Sequence, residues 1–303
     1  MLFLKEEDVE RLFPMRDAVG VMRATFEALA AGEAGNQPRR RLFVPTGAVL
    51  HSLGGWWKNY FGTKVYAVHV KHGAHFLVWL CEASTAEPLA LIEANHLGRI
   101  RTGAASGYAT DIMAPAAASS LAVIGSGFQA WTQLEAILTV RPITQVRVFS
   151  RSEENRTRFA MEAKIAFGVD VAATSTAEAA VRDADIIVTA TWSKDPVLDA
   201  AWVKPGAHIN AAGSNQAQRR ELPAGLVHSA RWIAVDSLEQ ARIEAGDLLL
   251  AGDLDKMPLV ELQNWPGHER GSRDTTIFKS LGLGVEDVAA AGFVYERYSG
   301  ADI

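Results

Sequence analysis

Apolar and polar positions follow two rhythms along this chain. From about Met15 to Ala31 the apolar residues recur every three or four positions, which places them on one helical face. Shorter runs follow, alternating in character or continuously apolar and bounded by turn formers: Leu42 to Val44, Val49 to Leu53, Gly62 to Val70, Phe76 to Glu82 and Leu89 to Glu93. One helix followed by several strands predicts an α+β domain over residues 1–114. Pro115 and the small residues up to Ser120 mark the passage out of it.

Beyond that point strands and helices alternate. Leu121 to Ile124, Gln145 to Phe149, Val169 to Val171, Asp185 to Ala190, Ala207 to Ala212 and Trp232 to Asp236 read as buried strands, and Glu153 to Phe167 has helical spacing. Such alternation over residues 115–284 predicts a doubly wound, Rossmann-type parallel sheet, so the chain is α/β with an α+β domain in front. A helical pattern from Val285 to Tyr298 predicts that a C-terminal helix, about 285–303, returns to the first domain.

The first of these strands breaks into Gly125-Ser126-Gly127-Phe128-Gln129-Ala130, a Gly-x-Gly-x-x-small turn. Gly125 permits a tight exit from the strand, Gly127 leaves room for a pyrophosphate, and Ala130 lets the next helix lie close to the sheet. The helix start offers N–H groups and its positive dipole end to phosphates. Ligands in such sheets bind beyond the carboxyl ends of the strands, so Gly125 to Gln129, Ser150 to Ser152, Thr191 and Gly213 to Asn215 are expected to converge there. The second strand ends in Ser150-Arg151-Ser152 with Arg156 one turn on, where an acid would hold the ribose of NAD. Arginine suits a 2′-phosphate, so NADP(H) is expected over NAD(H).

Composition narrows the picture. The 303 residues have room for about two domains. A net charge of −5 with one short basic run, Arg39-Arg40-Arg41, argues against nucleic acid or an anionic membrane as partner. The start turns acidic by Glu6 before a signal-peptide core can form, and no apolar run reaches the ~20 residues of a membrane span, so a cytoplasmic protein is expected. The single Cys81, beside Trp79 and Leu80, reads as a buried thiol. No metal site is expected: His69, His72 and His75 approach a turn without sharing a face. Gly54-Gly55-Trp56-Trp57 reads as a loop with aromatic packing, and Glu244-Ala245-Gly246-Asp247 as a helix end with a glycine cap.

Several segments together resemble the ornithine cyclodeaminase and mu-crystallin family. They are Gln37-Pro38-Arg39-Arg40-Arg41, Phe61-Gly62-Thr63-Lys64-Val65, Arg101-Thr102-Gly103-Ala104-Ala105-Ser106, the glycine turn, and Thr275-Thr276-Ile277-Phe278-Lys279-Ser280 with Gly282-Leu283. The resemblance spans nearly the whole chain. It implies hydride transfer at the α-carbon of an amino acid or its imine, Thr102 among the cofactor ligands, and a homodimer joined through the first domain. It also implies that Lys64 and Arg101 bind the substrate carboxylate, with a third arginine from the basic run. Spacing from Pro38 favours Arg40 over Arg39, and Arg39 and Arg41 are expected to face solvent. Lys64 on an otherwise apolar strand and Arg101 at the opening of a small-residue helix favour an anionic ligand on chemical grounds as well.

One departure from the family pattern bears on the reaction. Cyclodeaminases carry an aspartate in the loop after the fifth strand, where this chain has Asn215. An amide exchanges no proton near neutral pH, which leaves Asn215 to orient an amine or water and Lys64 to supply a proton. The expectation is therefore an NADP(H)-dependent oxidoreductase of an α-amino acid or a linear or cyclic imine. A cyclodeaminase with tightly bound NAD(H), or a non-catalytic mu-crystallin-like NADPH-binding protein, are the alternatives.

Overall fold

The computed structural model describes residues 1–267 and 271–300. In chain order the elements are β1 (Leu2–Leu4), α1 (Glu6–Leu12), α2 (Met15–Ala31), β2 (Ala34–Phe43), β3 (Ala48–Trp57), β4 (Tyr60–His69), β5 (Gly73–Glu82), β6 (Pro88–Glu93) and α3 (Asn95–Met113). There follow β7 (Ser120–Ile124), α4 (Phe128–Val140), β8 (Gln145–Phe149), α5 (Glu153–Phe167), β9 (Asp170–Ala173), α6 (Ala177–Val181), β10 (Ile186–Thr189), β11 (His208–Ala211) and α7 (Ala224–Ser229). The last are β12 (Trp232–Val235), α8 (Leu238–Glu244), α9 (Gly246–Leu249), β13 (Leu259–Glu261), β14 (Thr276–Lys279) and α10 (Gly284–Ser299).

The chain forms two compact units, Met1–Ala104 with Gly282–Ile303, and Ala105–Leu281. The division falls within α3 rather than at Pro115. The helix runs unbroken to Met113, and its second half belongs to the second unit because Thr110 accepts from Asn210 Nδ2 at 2.9 Å and Arg141 donates to the carbonyls of Thr110 and Asp111. Of the C-terminal segment expected at about 285–303, residues 301–303 lie outside those described.

The first unit is a six-stranded sheet, ordered β1-β6-β5-β4-β3-β2, antiparallel except where β1 joins β6. Helices α2 and α10 pack on it, α10 chiefly against β3 and β4. The sequence underestimates these strands. Gly54-Gly55-Trp56-Trp57 is the end of β3, not a loop: Gly55 is needed because Val285 of α10 lies where a Cβ would stand. The face of the sheet away from α10 stays bare and apolar, with Phe3, Leu42, Leu50, Trp56, Leu77 and Trp79 all exposed.

The second unit is the expected doubly wound sheet, eight parallel strands ordered β13-β12-β14-β11-β10-β7-β8-β9. Successive strand residues point to opposite faces, and both faces are covered. Leu121, Val123, Ile186 and Val188 pack with Leu134 and Ile137 of α4 and Phe159 of α5. Ala122, Ile124, Ile187 and Ile209 pack with Val181 of α6, Leu226 of α7 and Leu248 of α9. The strand order reverses between β7 and β10, which is where such sheets bind dinucleotides.

Candidate active site

In the second unit, the predicted loops leave four neighbouring strands, β8, β7, β10 and β11, at their carboxyl ends. Gly125 takes a φ of 126°, and a Cβ there would stand 2.5 Å from the carbonyl oxygen of Ala190. No side chain is tolerable at that turn. Gly127 caps α4 without any side-chain hydrogen bond, and the space beside its Cα is open. The helix start therefore presents N–H groups with nothing bulky in front of them, which fits a pyrophosphate. Ser126 Oγ donates to Ser150 Oγ at 2.8 Å, tying the first loop to the second. Phe128 is exposed, and Gln129 accepts from Thr132 through both its carbonyl and its side-chain oxygen.

The two arginines of the second loop differ. Arg151 is exposed and makes no hydrogen bond or ion pair among the described residues. Arg156 is instead engaged in the turn, donating to the Ser150 carbonyl at 3.1 Å and lying over the Phe149 ring. Ser152 caps α5 by accepting from Asn155 N. No acid stands at the end of β8.

Thr191 and Gly213 are held by a residue the sequence did not mark. Glu221, fully buried, accepts from Thr191 N at 2.6 Å and Thr191 Oγ1 at 2.7 Å through one oxygen, and from Thr189 Oγ1 at 3.0 Å and Gly213 N at 2.8 Å through the other. Burial and the nearby Asp247 push its carboxyl up, while Lys279 and the Thr191 donors oppose them. Lys279 donates to the carbonyls of Ser214 and Ala211 and pairs with Asp247 at 2.9 Å. Asp247 also accepts from Glu221 N and Leu222 N. Gly246 is no cap: its Cβ would fall 2.0 Å from the Arg219 carbonyl, so glycine serves close approach there. Asn215, half-buried, sits in the loop so fastened, and the exposed Trp192 carries the Arg219 guanidinium 4.3 Å over its ring.

The cations of the first unit form a separate cluster. Lys64 stands on β4, an interior strand, with its side chain toward α10 and only 4% of its surface exposed. Arg101 is equally buried, in the second turn of α3, which begins at Asn95 rather than at Arg101. Asp287 Oδ1 accepts from Lys64 Nζ at 2.8 Å and from Arg101 Nε at 2.9 Å, and Glu286 accepts from Arg101 Nη1 at 2.7 Å. Burial and Arg101 draw Lys64 down to about 8, against the pull of Asp287. Burial also opposes the Arg101 charge, but Asp287 and Glu286 outweigh it and hold the guanidinium firmly protonated. Gly98, one helical turn before Thr102, would place a Cβ 3.6 Å from Lys64 Nζ. Thr102 donates to the Gly98 carbonyl and belongs to this unit, not to the loops of the second.

In the basic run, Arg39 does not face solvent as expected. Arg40 is exposed, and Arg39 is buried, donating to the Gly282 carbonyl at 3.1 Å. A register shift between Gln37 and Arg40, at Pro38 with its missing N–H, inserts a residue and exchanges the faces of the arginines. Spacing from a proline could not anticipate a bulge. His51, stacked on Tyr66 at 4.2 Å, is pushed down to about 4 by burial and by Arg41, Arg39 and Lys64, and so is neutral. His69 and His72 lie ring to ring at the β4–β5 turn, and no metal-binding group of side chains occurs among the described residues. Cys81 is buried, which raises its thiol above the ordinary range. No described helix is long and apolar enough to cross a membrane.

A doubly wound sheet with this first turn, joined to a unit that carries paired cations, defines the class: a pyridine-nucleotide-dependent oxidoreductase. The sequence pattern of the ornithine cyclodeaminase/mu-crystallin family matches residues 1–302, and the chain belongs to that family. It is 38% identical over 224 residues to the ketimine reductase mu-crystallin of Mus musculus, covering 73% of this chain and 69% of the mouse protein. The Thermococcus litoralis Δ1-pyrroline-2-carboxylate reductase, solved with NADH and L-proline, superposes with a TM-score of 0.92 at 29% identity, over 99% of this chain and 98% of that one. An archaeal alanine dehydrogenase dimer with bound NAD gives 0.93 at 30% identity, over 100% and 97%.

Proposed function

We propose that this protein reduces the C=N bond of an imine bearing a carboxylate, linear or cyclic, to the corresponding α-amino acid, with NADP(H) preferred over NAD(H). The observation that carries the reading is the Lys64 ammonium. It is buried, drawn toward neutrality, and has one hydrogen-bond partner among the described residues, leaving two of its three N–H bonds for a ligand. A group with a pKa of about 8 gives up a proton readily near neutral pH, which suits a general acid. Relatives named as ketimine reductase and Δ1-pyrroline-2-carboxylate reductase support the same chemistry.

In this reading Arg101, permanently charged, receives the substrate carboxylate together with Lys64 and Arg39, and the carboxylate fixes the imine carbon in place. A bound nicotinamide supplies the hydride when reduction occurs. Lys64 gives its proton to the imine nitrogen as that atom gains electron density, so no strong base develops at a buried site. Gly125 to Gln129, Ser150, Ser152, Thr191, Gly213 and Ser214 would hold the dinucleotide. Arg151 supplies a charge for a 2′-phosphate, and Arg156 shapes the turn that presents it. Asn215 orients without exchanging protons, which disfavours ammonia loss from ornithine.

The apolar outer face of the first sheet buries itself in a homodimer, in keeping with the dimeric archaeal relative. The substrate and dimer surface thus both belong to the first unit, and the protein works as a soluble cytoplasmic enzyme. The test is a screen of cyclic imine carboxylates, and of 2-oxo acids with amines, followed by loss of NADPH and NADH absorbance. Steady consumption with at least one imine is expected. Ammonia release from ornithine without net consumption, or no turnover at all, would replace the reading with a cyclodeaminase or a binding protein.

A further inference from the structure

Lys64 and Arg101 are each matched by an acid from the first turn of α10, but the two acids are placed differently. Asp287 bridges the cations through one oxygen, at 2.8 Å from Lys64 Nζ and 2.9 Å from Arg101 Nε. Glu286 meets the other end of the guanidinium, 2.7 Å from Arg101 Nη1, whereas the hydrogen bond of Lys64 goes to Asp287. Both carboxylates are fully buried. Acids in a first helical turn usually complement the helix dipole from the surface, and buried ones need another reason.

We propose that Asp287 and Glu286 are positioning residues with separate tasks: Asp287 keeps the Lys64 ammonium protonated and aimed for proton transfer, and Glu286 orients the Arg101 guanidinium as a carboxylate receptor. The inference rests on the imine-reductase reading above. The charges around Lys64 make Asp287 decisive. Arg101 on α3 and Arg39 on β2 disfavour a charged amine, as does burial, while His51 on β3 is neutral and Tyr66, on the strand of Lys64 itself, offers only its ring 5.7 Å away. Among the described residues packed against the ammonium, Asp287 alone hydrogen-bonds it. It also fixes direction, since an ammonium tethered at one N–H points its other two away from the tether. Glu286 holds one edge of a planar fork, leaving the Nη2 edge of Arg101 without a hydrogen bond among the described residues.

The tasks separate in pH profiles. Anion binding and proton donation by Lys64 are present below its pKa and lost as pH rises through it. Removing an opposite charge in contact lowers a lysine pKa by about 1–3 units. Asp287→Asn should therefore move the alkaline limb of kcat to lower pH by one unit or more, with kcat reduced at pH 8. Glu286→Gln should leave the limb in place and raise KM for the imine about tenfold, the loss of one charge-assisted contact. An equilibrium readout accompanies the kinetics: calorimetric binding of furan-2-carboxylate to the NADPH-loaded protein between pH 6 and 10, a probe with no group titrating in that range. Its affinity should fall with a midpoint shifted in Asp287→Asn and unshifted in Glu286→Gln.

An unmoved midpoint in Asp287→Asn, or an equal shift in both variants, overturns the division of tasks. Absence of imine turnover by the wild-type protein overturns the functional reading by itself, and the binding midpoints then still judge the two acids. A wild-type protein that neither turns over an imine nor binds the carboxylate overturns both. Should Asp287→Asn fail to fold, Lys64→Met/Asp287→Asn removes the charge it balances. Recovery of a folded double variant supports the pairing, and continued failure assigns Asp287 to structure alone.

Discussion

Gly55→Ala tests how the acids of α10 are brought to the cations. A Cβ on Gly55 would stand 2.5 Å from Val285 Cα and N and 2.8 Å from Gly284 C, and one on Gly284 would stand 2.3 Å from the Gly54 carbonyl oxygen. Strand β3 and the start of α10 thus meet backbone to backbone. Ordinary contact begins near 3.4 Å, and the difference must come from moving main chain, since no side chain is there to rotate aside. Overpacking costs about 1–3 kcal/mol, and rigid obstacles on both sides favour the upper end. The lower entropy of an unfolded alanine returns ~0.4–1 kcal/mol, leaving a net loss of roughly 2 kcal/mol. Gly20→Ala, in the middle of α2 with nothing within 4 Å of the new methyl, is the control and should gain ~0.5–1 kcal/mol. Urea unfolding at constant m measures both. Because Glu286 and Asp287 follow Val285 directly, Gly55→Ala should also lower kcat/KM. Equal stability of the two variants, or an unimpaired kcat/KM in Gly55→Ala, would refute the argument.

Three further outcomes are expected. Arg151→Ala should cost ~1–3 kcal/mol of the preference for NADPH over NADH, read by calorimetry on both nucleotides, and equal affinities in the unaltered protein would dismiss the assignment. Lys64→Met and Arg101→Met should each cut kcat/KM by roughly 10²-fold, about 2.7 kcal/mol, with Lys64→Met acting mainly on kcat and Arg101→Met mainly on KM. Full activity in both would exclude the proposed clamp. Ornithine should yield proline very slowly or not at all, with Asn215→Asp raising the rate of ammonia release; rapid release by the unaltered protein would exclude a purely orienting Asn215.

The second unit was legible in the sequence because its signals are local. Each buried strand is a short apolar run, and the Gly125 turn sits where strand gives way to helix. The strands of the first unit are longer than the pattern predicts because β2 begins in polar residues and β3 runs through Gly54-Gly55, residues ordinarily found in loops. Their reason lies in α10, more than two hundred positions away. The same separation hid the acids. Lys64 and Arg101 stand out as charges in apolar surroundings, whereas Glu286 and Asp287 look like dipole-complementing residues until the fold buries them. Glu221 follows Arg219-Arg220 and resembles part of a surface charge run. Spacing from Pro38 points to Arg40, and the bulge between Gln37 and Arg40 buries Arg39 instead.

The two buried ionic clusters differ in saturation, and that difference separates scaffold from site. Around Glu221 most of the capacity is used: four donors occupy its two oxygens, and two carbonyls and a carboxylate surround the Lys279 ammonium. The cluster serves to fix the loops that carry Thr191, Gly213 and Ser214. Around Lys64 capacity is left over. Two ammonium N–H bonds are uncommitted, and Asp287 Oδ2 is buried without a hydrogen-bond partner among the described residues. Leaving such groups unpaired costs about 1–3 kcal/mol each, a cost that folding alone would not retain at a site free to repack. A ligand offering a carboxylate acceptor to the ammonium and an N–H donor to the aspartate would recover it. An α-amino acid, the product of the reduction, carries both groups on one carbon, which is why the unsaturated cluster, rather than the more heavily bonded one, is the place to look for the substrate.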